Sequence, residues 1–506
     1  DEGRDVRAEE VLALAAADQQ GLLRLHVRVD EREAGFLALG MAKASRRVVP
    51  VVTTSGTAVA NLHPAMLEAQ HARVRLLAVT ADRPGRLRGT GANQTTDQRR
   101  IFSGVAFVDR FDGVDLVDAP QHLNLELDEP LVADVAREFA VAPVETPDRP
   151  APSPEPLTTG PRTVVVAGDD ARQPARVLAR DARWPLLAEP SSGSRNGEAL
   201  VAHRLLLAHS PLVDRIERVV SMGHATLSRP VTRLLSRTDV EIVHVGDQST
   251  FPVPAGPNVR FVDAVACERP DGEGWLEQWR AADTAACDAV DAVLRDREPD
   301  AGPYVVARAV NAAVPPGGLL FIGSSSPVRD LDLVARPYPV GERRLLIANR
   351  GLAGIDGTLS SAVGAALARP SPRAIAYVGD LTFLHGSNGL LIGAGEPRPD
   401  LTIVVVNDDG GSIFATLEQG APEHATSFER VYATATGADL GALCAGLGVP
   451  HQRVGVHDLA DVLAQDVAGI RVVEIAVERT GRRDLAAAID SAVSRAVSRA
   501  VSRAMR

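Results

Sequence analysis

The chain has 506 residues, of which 45% are hydrophobic and 24% charged, as in ordinary globular proteins. Its net charge of −11 provides no basic surface, so we expect neither nucleic acid nor an anionic membrane as a partner. No apolar run approaches the roughly 20 residues that a membrane-spanning helix needs, and the amino terminus shows no signal-peptide pattern. The three cysteines form no Cys-x-x-Cys pair, which favours a cytoplasmic protein without disulfides or a zinc site.

Short apolar runs alternate with helical stretches along the chain. The predicted strands are residues 25–29, 48–52, 75–79, 163–166, 218–221, 241–245, 319–322, 345–348, 374–378, 402–406 and 472–475. Residues 35–44 and 357–367 are rich in Ala, Leu and Gly, and are predicted to form closely packed helices. Because strands and helices alternate, the sequence predicts an α/β fold with parallel sheets covered by helices.

Two polar, proline-containing stretches, at residues 142–162 and 296–303, indicate boundaries between domains. They predict three doubly wound parallel-sheet domains, at residues 1–145, 160–298 and 303–490. Residues 491–506 form a tail in which Ala-Val-Ser-Arg repeats. A four-residue period could extend a helix, but it indicates no chemistry.

The strongest polar pattern lies in the third predicted domain. One strand runs into Gly379-Asp380, where a helix is predicted to begin and to continue to residue 391, and the next strand runs into Asn407-Asp408-Asp409-Gly410-Gly411. In a right-handed strand–helix–strand unit both strand ends lie at one sheet edge, where these carboxylates could bind Mg²⁺ and a diphosphate. Each motif alone is also a good turn sequence, so the pattern by itself leaves both interpretations open.

This arrangement resembles the diphosphate-binding motif of the thiamine-diphosphate enzymes. Further segments resemble, in the same order along the chain, the succinyl-enolpyruvyl-hydroxycyclohexene-carboxylate synthases. These segments are residues 26–40, Thr53-Thr54-Ser55-Gly56-Thr57-Ala58, Thr80-Ala81-Asp82-Arg83-Pro84, Gly91-Ala92-Asn93-Gln94, Pro327-Val328-Arg329-Asp330, Asn349-Arg350-Gly351 and Gly354-Ile355-Asp356-Gly357. The resemblance covers most of residues 20–480, is weakest in the middle domain, and implies the domain type of thiamine-diphosphate enzymes.

The resemblance implies thiamine diphosphate and Mg²⁺ as cofactors, with Mn²⁺ as an alternative metal. Asp380, Asp408 and the carbonyl of Gly410 would bind the metal, with Asn407 replacing Asp408 if the register shifts by one residue. Glu31 would be the carboxylate that activates the aminopyrimidine ring, although by pattern alone it belongs to a charged helix start. The other implied cofactor contacts are Thr54, Ser55, Gly56, Ser325, Ile355, Gly379, Leu381, Thr382, Gly411 and Ile413.

The implied reaction joins 2-oxoglutarate, with loss of CO₂, to isochorismate in menaquinone biosynthesis. The implied substrate-binding residues are Arg83, Asn93, Gln94, Arg329, Arg350 and Phe414. Asn93 and Gln94 would lie beside the reacting carbon as catalytic residues. Arginine can bind a carboxylate through two charge-assisted hydrogen bonds, whereas an arginine outside such motifs is more often a solvated surface residue.

The resemblance also implies a homodimer or a dimer of dimers, in which Glu31 and Asp380 serve one cofactor from different subunits. The family begins with a strand and a Pro-Gly-Ser-Arg turn, and residues 1–7 show neither. We therefore expect the first domain to lack a strand, together with a substrate-binding serine and arginine. Two alternatives remain open: another thiamine-diphosphate-dependent 2-oxoacid decarboxylase or synthase, and a catalytically impaired member of the fold.

Overall fold

The structure is a computed structural model, and it describes residues 9–115, 119–129 and 151–504, without the side chains of residues 9–13, 299 and 300. The departure expected at residues 1–7 lies outside the described residues. Within them, no helix is both long enough and apolar enough to cross a lipid bilayer.

Helices and strands alternate through most of the described chain. The helices are α1 (Glu9–Gln19), α2 (Glu31–Ser45), α3 (Thr57–Asn61), α4 (His63–His71), α5 (Arg172–Ala182), α6 (His203–His209), α7 (Arg229–Leu235), α8 (Glu273–Asp296), α9 (Gly302–Ala313), α10 (Ser326–Val334), α11 (Thr358–Ala368), α12 (Asp380–His385), α13 (Ala425–Phe428), α14 (Leu440–Gly446), α15 (Leu459–Ala464) and α16 (Arg482–Ala504). The strands are β1 (Val49–Thr53), β2 (Leu76–Asp82), β3 (Ala106–Val108), β4 (Gln121–Glu126), β5 (Glu155–Leu157), β6 (Thr163–Ala167), β7 (Leu186–Ala188), β8 (Arg218–Met222), β9 (Glu241–Val245), β10 (Val259–Val262), β11 (Val265–Cys267), β12 (Leu319–Ile322), β13 (Leu345–Ala348), β14 (Ala374–Gly379), β15 (Leu401–Asn407), β16 (His451–Arg453) and β17 (Ile470–Ala476).

The chain forms two compact units, each built from separate segments. The first contains Asp1–Pro150, Asp356–Pro370 and Gly386–Pro399, and the second contains Ala151–Ile355, Ser371–His385 and Asp400–Arg506. The domain boundaries drawn from sequence at residues 1–145, 160–298 and 303–490 stay a prediction.

The first unit contains a parallel sheet in the order β1-β2-β4-β3. Helix α2 begins at an Asp30 cap, whose carboxylate accepts the backbone N–H groups of Arg32 and Glu33. It packs against α11 with almost no space between the backbones. A Cβ atom added to Gly40 would lie 1.9 Å from the carbonyl oxygen of Ser361, and one added to Gly364 would lie 2.1 Å from that of Leu37.

The second unit contains two larger parallel sheets, in the orders β10-β9-β8-β6-β7 and β13-β12-β14-β15-β17-β16, and a two-stranded sheet of β11 and β5. The predicted α/β class with parallel sheets is therefore confirmed. In the six-stranded sheet Gly379 lies opposite Val406, so Asp380 and Asp408 follow neighbouring strand ends at one edge. The order reverses between β12 and β14, and in open α/β sheets ligands bind at such a switch point.

The carboxyl-terminal repeat is part of α16. Its buried positions recur every fourth residue at Leu485, Ile489, Val493, Val497 and Val501. These side chains join the main hydrophobic core of the second unit, to which α8 also contributes. The repeat therefore continues a packed helix.

Two sequence predictions of secondary structure were wrong. Residues 25–29 form no strand, because the backbone N–H of Leu25 binds the side chain of Asp18 and that of Val27 binds the side chain of Glu396, so neither pairs with a strand. The helix predicted from Asp380 to residue 391 ends at His385, and a short 3₁₀ turn (Ser387–Leu390) follows after Gly386.

Candidate active site

The second unit contains a cavity of ≈ 260 Å³ beside the carboxyl ends of its central strands. Residues that the sequence singled out in this half of the chain line it together. They are Ser325, Arg329, Arg350, Ile355, Gly379, Asp380, Leu381, Thr382, Asp408, Gly410, Gly411, Ile413 and Phe414. They converge because β12, β13, β14 and β15 are neighbours in one sheet and the motifs follow their ends.

Three aspartates line this cavity, and Asp380 and Asp408 are the two that follow the ends of β14 and β15. Asp380 is buried and its Oδ2 accepts the backbone N–H of Gly410 at 2.8 Å. Burial, reinforced by the charge of Asp408, raises the pKa of Asp380 to about 7. Burial also raises the pKa of Asp408. A bound cation would stabilise these two carboxylates, of which Asp380 is buried and Asp408 half-buried, against their mutual repulsion.

The donor set fits a magnesium ion that also binds a diphosphate. No group of three or more His, Cys, Asp and Glu side chains within the described part of the chain could hold a metal. Mg²⁺ is commonly bound by one or two carboxylates together with waters and phosphate oxygens, which agrees with a site of two aspartates. Asn407 does not line the cavity, since its side chain bonds Glu474 at 2.8 Å and the N–H of Asp409 at 3.0 Å.

The turn after β15 is held from outside the cavity. The N–H of Gly411 donates to the carbonyl of Ala433 at 2.7 Å. Arg479 donates to the carbonyl of Asp408 at 3.1 Å, donates to that of Asp409, and forms an ion pair with Glu429. The carbonyl groups of this turn are thereby fixed in orientation.

Three arginines line the cavity, and of these Arg482 is paired with Asp330, which leaves Arg329 and Arg350 as the candidate ligands of a substrate. Arg329 donates to the carbonyl of Ser325 at 2.7 Å, and burial together with Arg350 lowers its pKa to about 10. Arg350 is buried, and its Nη2 donates to Thr226 Oγ1 at 3.0 Å. Both guanidinium groups can bind carboxylates.

The predicted residues of the first unit lie on its loops and on α2. Gly56 has φ of +79°, its N–H donates to the Gln98 side chain at 2.8 Å, and a Cβ atom there would lie 3.0 Å from the Cα of Gln94. Arg83 Nη2 lies 3.4 Å from the side-chain oxygen of Gln94. The structure thus brings Gly56, Arg83 and Gln94 together.

The remaining predicted residues of this unit differ in exposure. Thr54 and Asn93 are exposed, whereas Ser55 is buried. Glu31 is half-buried at the start of α2, and its Oε2 accepts a hydrogen bond from Asn61 at 3.1 Å. Its carboxylate is therefore partly open to solvent in the first unit.

Sequence reasoning missed several residues of these sites. Arg482, at the start of α16, lines the cavity and forms a buried ion pair with Asp330. The motif Pro327-Val328-Arg329-Asp330 could have indicated Asp330, but no local pattern marks Arg482. Gln98 is buried and also donates to Ala81 and Asn124, and no motif indicated it.

Comparison with known proteins places the chain among its relatives. The family model for the thiamine pyrophosphate enzyme, N-terminal TPP binding domain, matches residues 7–101, and that for the C-terminal TPP binding domain matches residues 332–496. A 2-succinyl-5-enolpyruvyl-6-hydroxy-3-cyclohexene-1-carboxylate synthase of Nocardioides sp. is 54% identical over 94% of this chain and 91% of its own length.

Synthases of the same name from Kineococcus radiotolerans and Saccharopolyspora erythraea are 47% and 42% identical. These matches cover 92% and 93% of this chain, and 90% and 91% of the relatives. The chain belongs to the 2-succinyl-5-enolpyruvyl-6-hydroxy-3-cyclohexene-1-carboxylate synthases, a family of thiamine-diphosphate enzymes that work with a divalent metal, typically Mg²⁺.

Proposed function

We propose that this enzyme decarboxylates 2-oxoglutarate and adds the remaining four-carbon unit to isochorismate, giving 2-succinyl-5-enolpyruvyl-6-hydroxy-3-cyclohexene-1-carboxylate and CO₂ for menaquinone biosynthesis. One observation carries the proposal. A single cavity contains both the paired carboxylates Asp380 and Asp408 and the cations Arg329 and Arg350. The two carboxylates suit a metal ion that also binds a diphosphate. The two arginines suit substrates with several carboxylates.

Asp380, Asp408 and the carbonyl of Gly410 would hold the metal, and the walls at Ser325, Gly379, Leu381, Thr382 and Gly411 would contact the cofactor. When bound, thiamine diphosphate supplies the electron sink for decarboxylation. Ile355 would support the cofactor through apolar contact in the same cavity.

Arg329 and Arg350 would bind substrate carboxylates and thereby orient the keto carbon. Ile413 and Phe414 form an apolar part of the cavity wall. Excluding water there would suppress premature protonation of the four-carbon unit that remains after decarboxylation. Such protonation would otherwise release a simple aldehyde. Arg83, Asn93 and Gln94 belong to the first unit with Glu31, and like Glu31 they would contribute to the substrate site of a partner subunit.

Glu31 would hydrogen-bond the aminopyrimidine ring, with Thr54, Ser55 and Gly56 as neighbouring contacts. We assign Glu31 to a cavity of a partner subunit, in a homodimer or a dimer of dimers. Large apolar side chains near it in the first unit support such an interface, because Val27, Val29 and Leu391 are 56%, 81% and 46% exposed. A cytoplasmic location agrees with the free thiols of all three cysteines.

The test is product formation from 2-oxoglutarate and isochorismate with thiamine diphosphate and Mg²⁺. Glu31→Gln should abolish turnover while the protein still binds the cofactor by calorimetry. Arg329→Gln should raise the KM of a substrate about 10- to 100-fold, because a charged hydrogen bond is lost. Arg336→Gln is the matched control, since Arg336 lies on the surface and pairs with Asp291 at 3.0 Å. CO₂ release from pyruvate without an acceptor would instead indicate a different thiamine enzyme.

A further inference from the structure

Glu189 and Arg350 are two buried, oppositely charged residues of the second unit. Glu189 follows β7 of the five-stranded sheet, Arg350 follows β13 of the six-stranded sheet, and each is 2% exposed. Such groups are expensive to bury unless something holds or neutralises them.

One short segment of chain holds both side chains. Thr226 Oγ1 accepts a hydrogen bond from Arg350 Nη2 at 3.0 Å. The backbone N–H of the next residue, Leu227, donates to Glu189 Oε1 at 2.9 Å. Glu189 and Arg350 are therefore fixed relative to each other by consecutive residues.

Each of the two side chains has one polar atom that forms no hydrogen bond with the described residues. Glu189 Oε2 and Arg350 Nε are buried, and neither makes a hydrogen bond within the described residues. Arg350 also lines the cavity, so its guanidinium can reach a ligand there. The charge of Arg350 acts on the carboxyl of Glu189, so the two side chains lie within electrostatic range of each other.

The protonation state of Glu189 sets the charge that this residue places beside Arg350. Burial raises the pKa of Glu189 to about 8, Arg350 opposes that rise, and the nearby carboxylates Asp332 and Asp169 reinforce it. Arg350 also lies close enough to Arg329 for its charge to lower the pKa of that guanidinium. At neutral pH Glu189 is therefore largely protonated and contributes no negative charge beside Arg350.

We propose that Glu189 is a positioning residue for Arg350: uncharged, it leaves the guanidinium available to a substrate carboxylate, and ionised, it competes with that carboxylate. The inference rests on the proposed function, because it takes Arg350 to bind a substrate. The protonation of Glu189 would then control how strongly a substrate binds, without contact between Glu189 and the reacting atoms.

The test compares the parent enzyme with Glu189→Gln over a range of pH. In the parent the KM of one substrate should rise up to about tenfold from pH 7 to pH 9, the limit for one competing ionisation near pH 8. In Glu189→Gln this rise should be absent, with kcat following the same pH profile in both proteins. An equal rise of KM in both proteins would overturn the proposal.

Asp283→Asn is the matched control for the loss of a buried carboxyl. Asp283 accepts the backbone N–H groups of Val201 and Ala202, and its pKa is also raised by burial. This variant should lower stability but keep the rise of KM.

Calorimetry with 2-oxoglutarate and isochorismate at pH 7 and pH 9 separates the two claims. If the parent forms no product at any pH, the proposed function fails. Weaker binding of either compound at pH 9 that Glu189→Gln abolishes would still support the role of Glu189. Equal affinities at both pH values in the parent would overturn it.

Discussion

Ser325, in the cavity wall, has a backbone conformation that residues other than glycine rarely adopt. Its φ and ψ are +99° and −142°, and it lies immediately before α10. Such a residue costs about 1–3 kcal/mol of stability, and strained residues of this kind concentrate at functional sites. The carbonyl of Ser325 accepts the hydrogen bond of Arg329, so this conformation also fixes a proposed substrate ligand.

Ser325→Gly should therefore raise the free energy of unfolding by about 1 kcal/mol while weakening cofactor binding. Urea denaturation and calorimetry with thiamine diphosphate measure the two effects. Ser326→Gly is the control for stability: it should lower the free energy of unfolding by about 0.5–1 kcal/mol, because Ser326 begins α10 and its hydroxyl bonds that of Ser412 at 3.0 Å. A loss of stability in Ser325→Gly would contradict the assignment of strain.

Glu189 should give the stability of the protein a measurable pH dependence. Its pKa is raised from 4.5 to about 8 by burial. Between these values the unfolded chain releases the proton and the folded chain keeps it, so stability falls as pH rises through this window. Below it both states are protonated, and above it both are ionised, so the effect of Glu189 is constant there.

Glu189→Gln removes this titration. The free energy of unfolding, measured with urea at several pH values, should fall less between about pH 5 and pH 8 than in the parent. Parallel curves for the two proteins would show that Glu189 is already ionised in the folded state.

At the scale of elements, α16 joins the outer core of the second unit to the cavity. It begins with Arg482, which pairs with Asp330, and continues through buried Val493, Val497 and Val501. A helix fixed along its length positions its first residue. The terminal repeat therefore contributes to the geometry of the site.

Val497→Asp should lower the free energy of unfolding by about 3 kcal/mol or more, because it buries an unpaired charge. The neighbouring change Ser498→Asp adds the same charge on the exposed face and should alter it by about 0.5 kcal/mol or less. Thermal and urea unfolding distinguish them. Equal effects would show that α16 does not pack as described.

The sequence predicted strands where both faces of a parallel sheet are buried. The first five residues of β14 and the first six of β15 are buried, and apart from Thr402 they are apolar or aromatic. Residues 25–29, Leu-His-Val-Arg-Val, alternate apolar and polar residues as a strand can, but the side chains of Asp18 and of the distant Glu396 bind their backbone. No local pattern reveals such partners, which explains the wrong prediction.

The residues of the candidate site fall into the same two groups, those that a local pattern reveals and those that it does not. Residues within motifs, such as Asp380 and Arg350, could be singled out because the motifs follow strand ends. Arg482, Gln98 and Glu189 come from positions without a motif and reach their partners only through tertiary folding. Sequence therefore predicted candidates for direct contacts better than it predicted the residues that hold them.

At the scale of the whole molecule, the proposed dimer can be tested by mixing two inactive variants. Glu31→Gln and Asp380→Asn should each abolish turnover. In a mixed dimer one of the two sites would combine an intact Glu31 with an intact Asp380 from the partner. Random mixing gives about half mixed dimers, so co-expressed variants should recover about a quarter of the parent activity. No recovery would show that both residues act within one chain.

The close packing of α2 against α11 has a consequence for how the protein is made. The surface of α2 at Gly40 is covered by α11, which follows it by more than 300 positions. During synthesis α2 therefore cannot pack against α11 until most of the chain has been made. Until then the amino-terminal segment exposes an apolar surface to the ribosome exit and to chaperones. A fragment of residues 1–150 alone should therefore aggregate, and supplying the other segments of the first unit, Asp356–Pro370 and Gly386–Pro399, should improve its solubility.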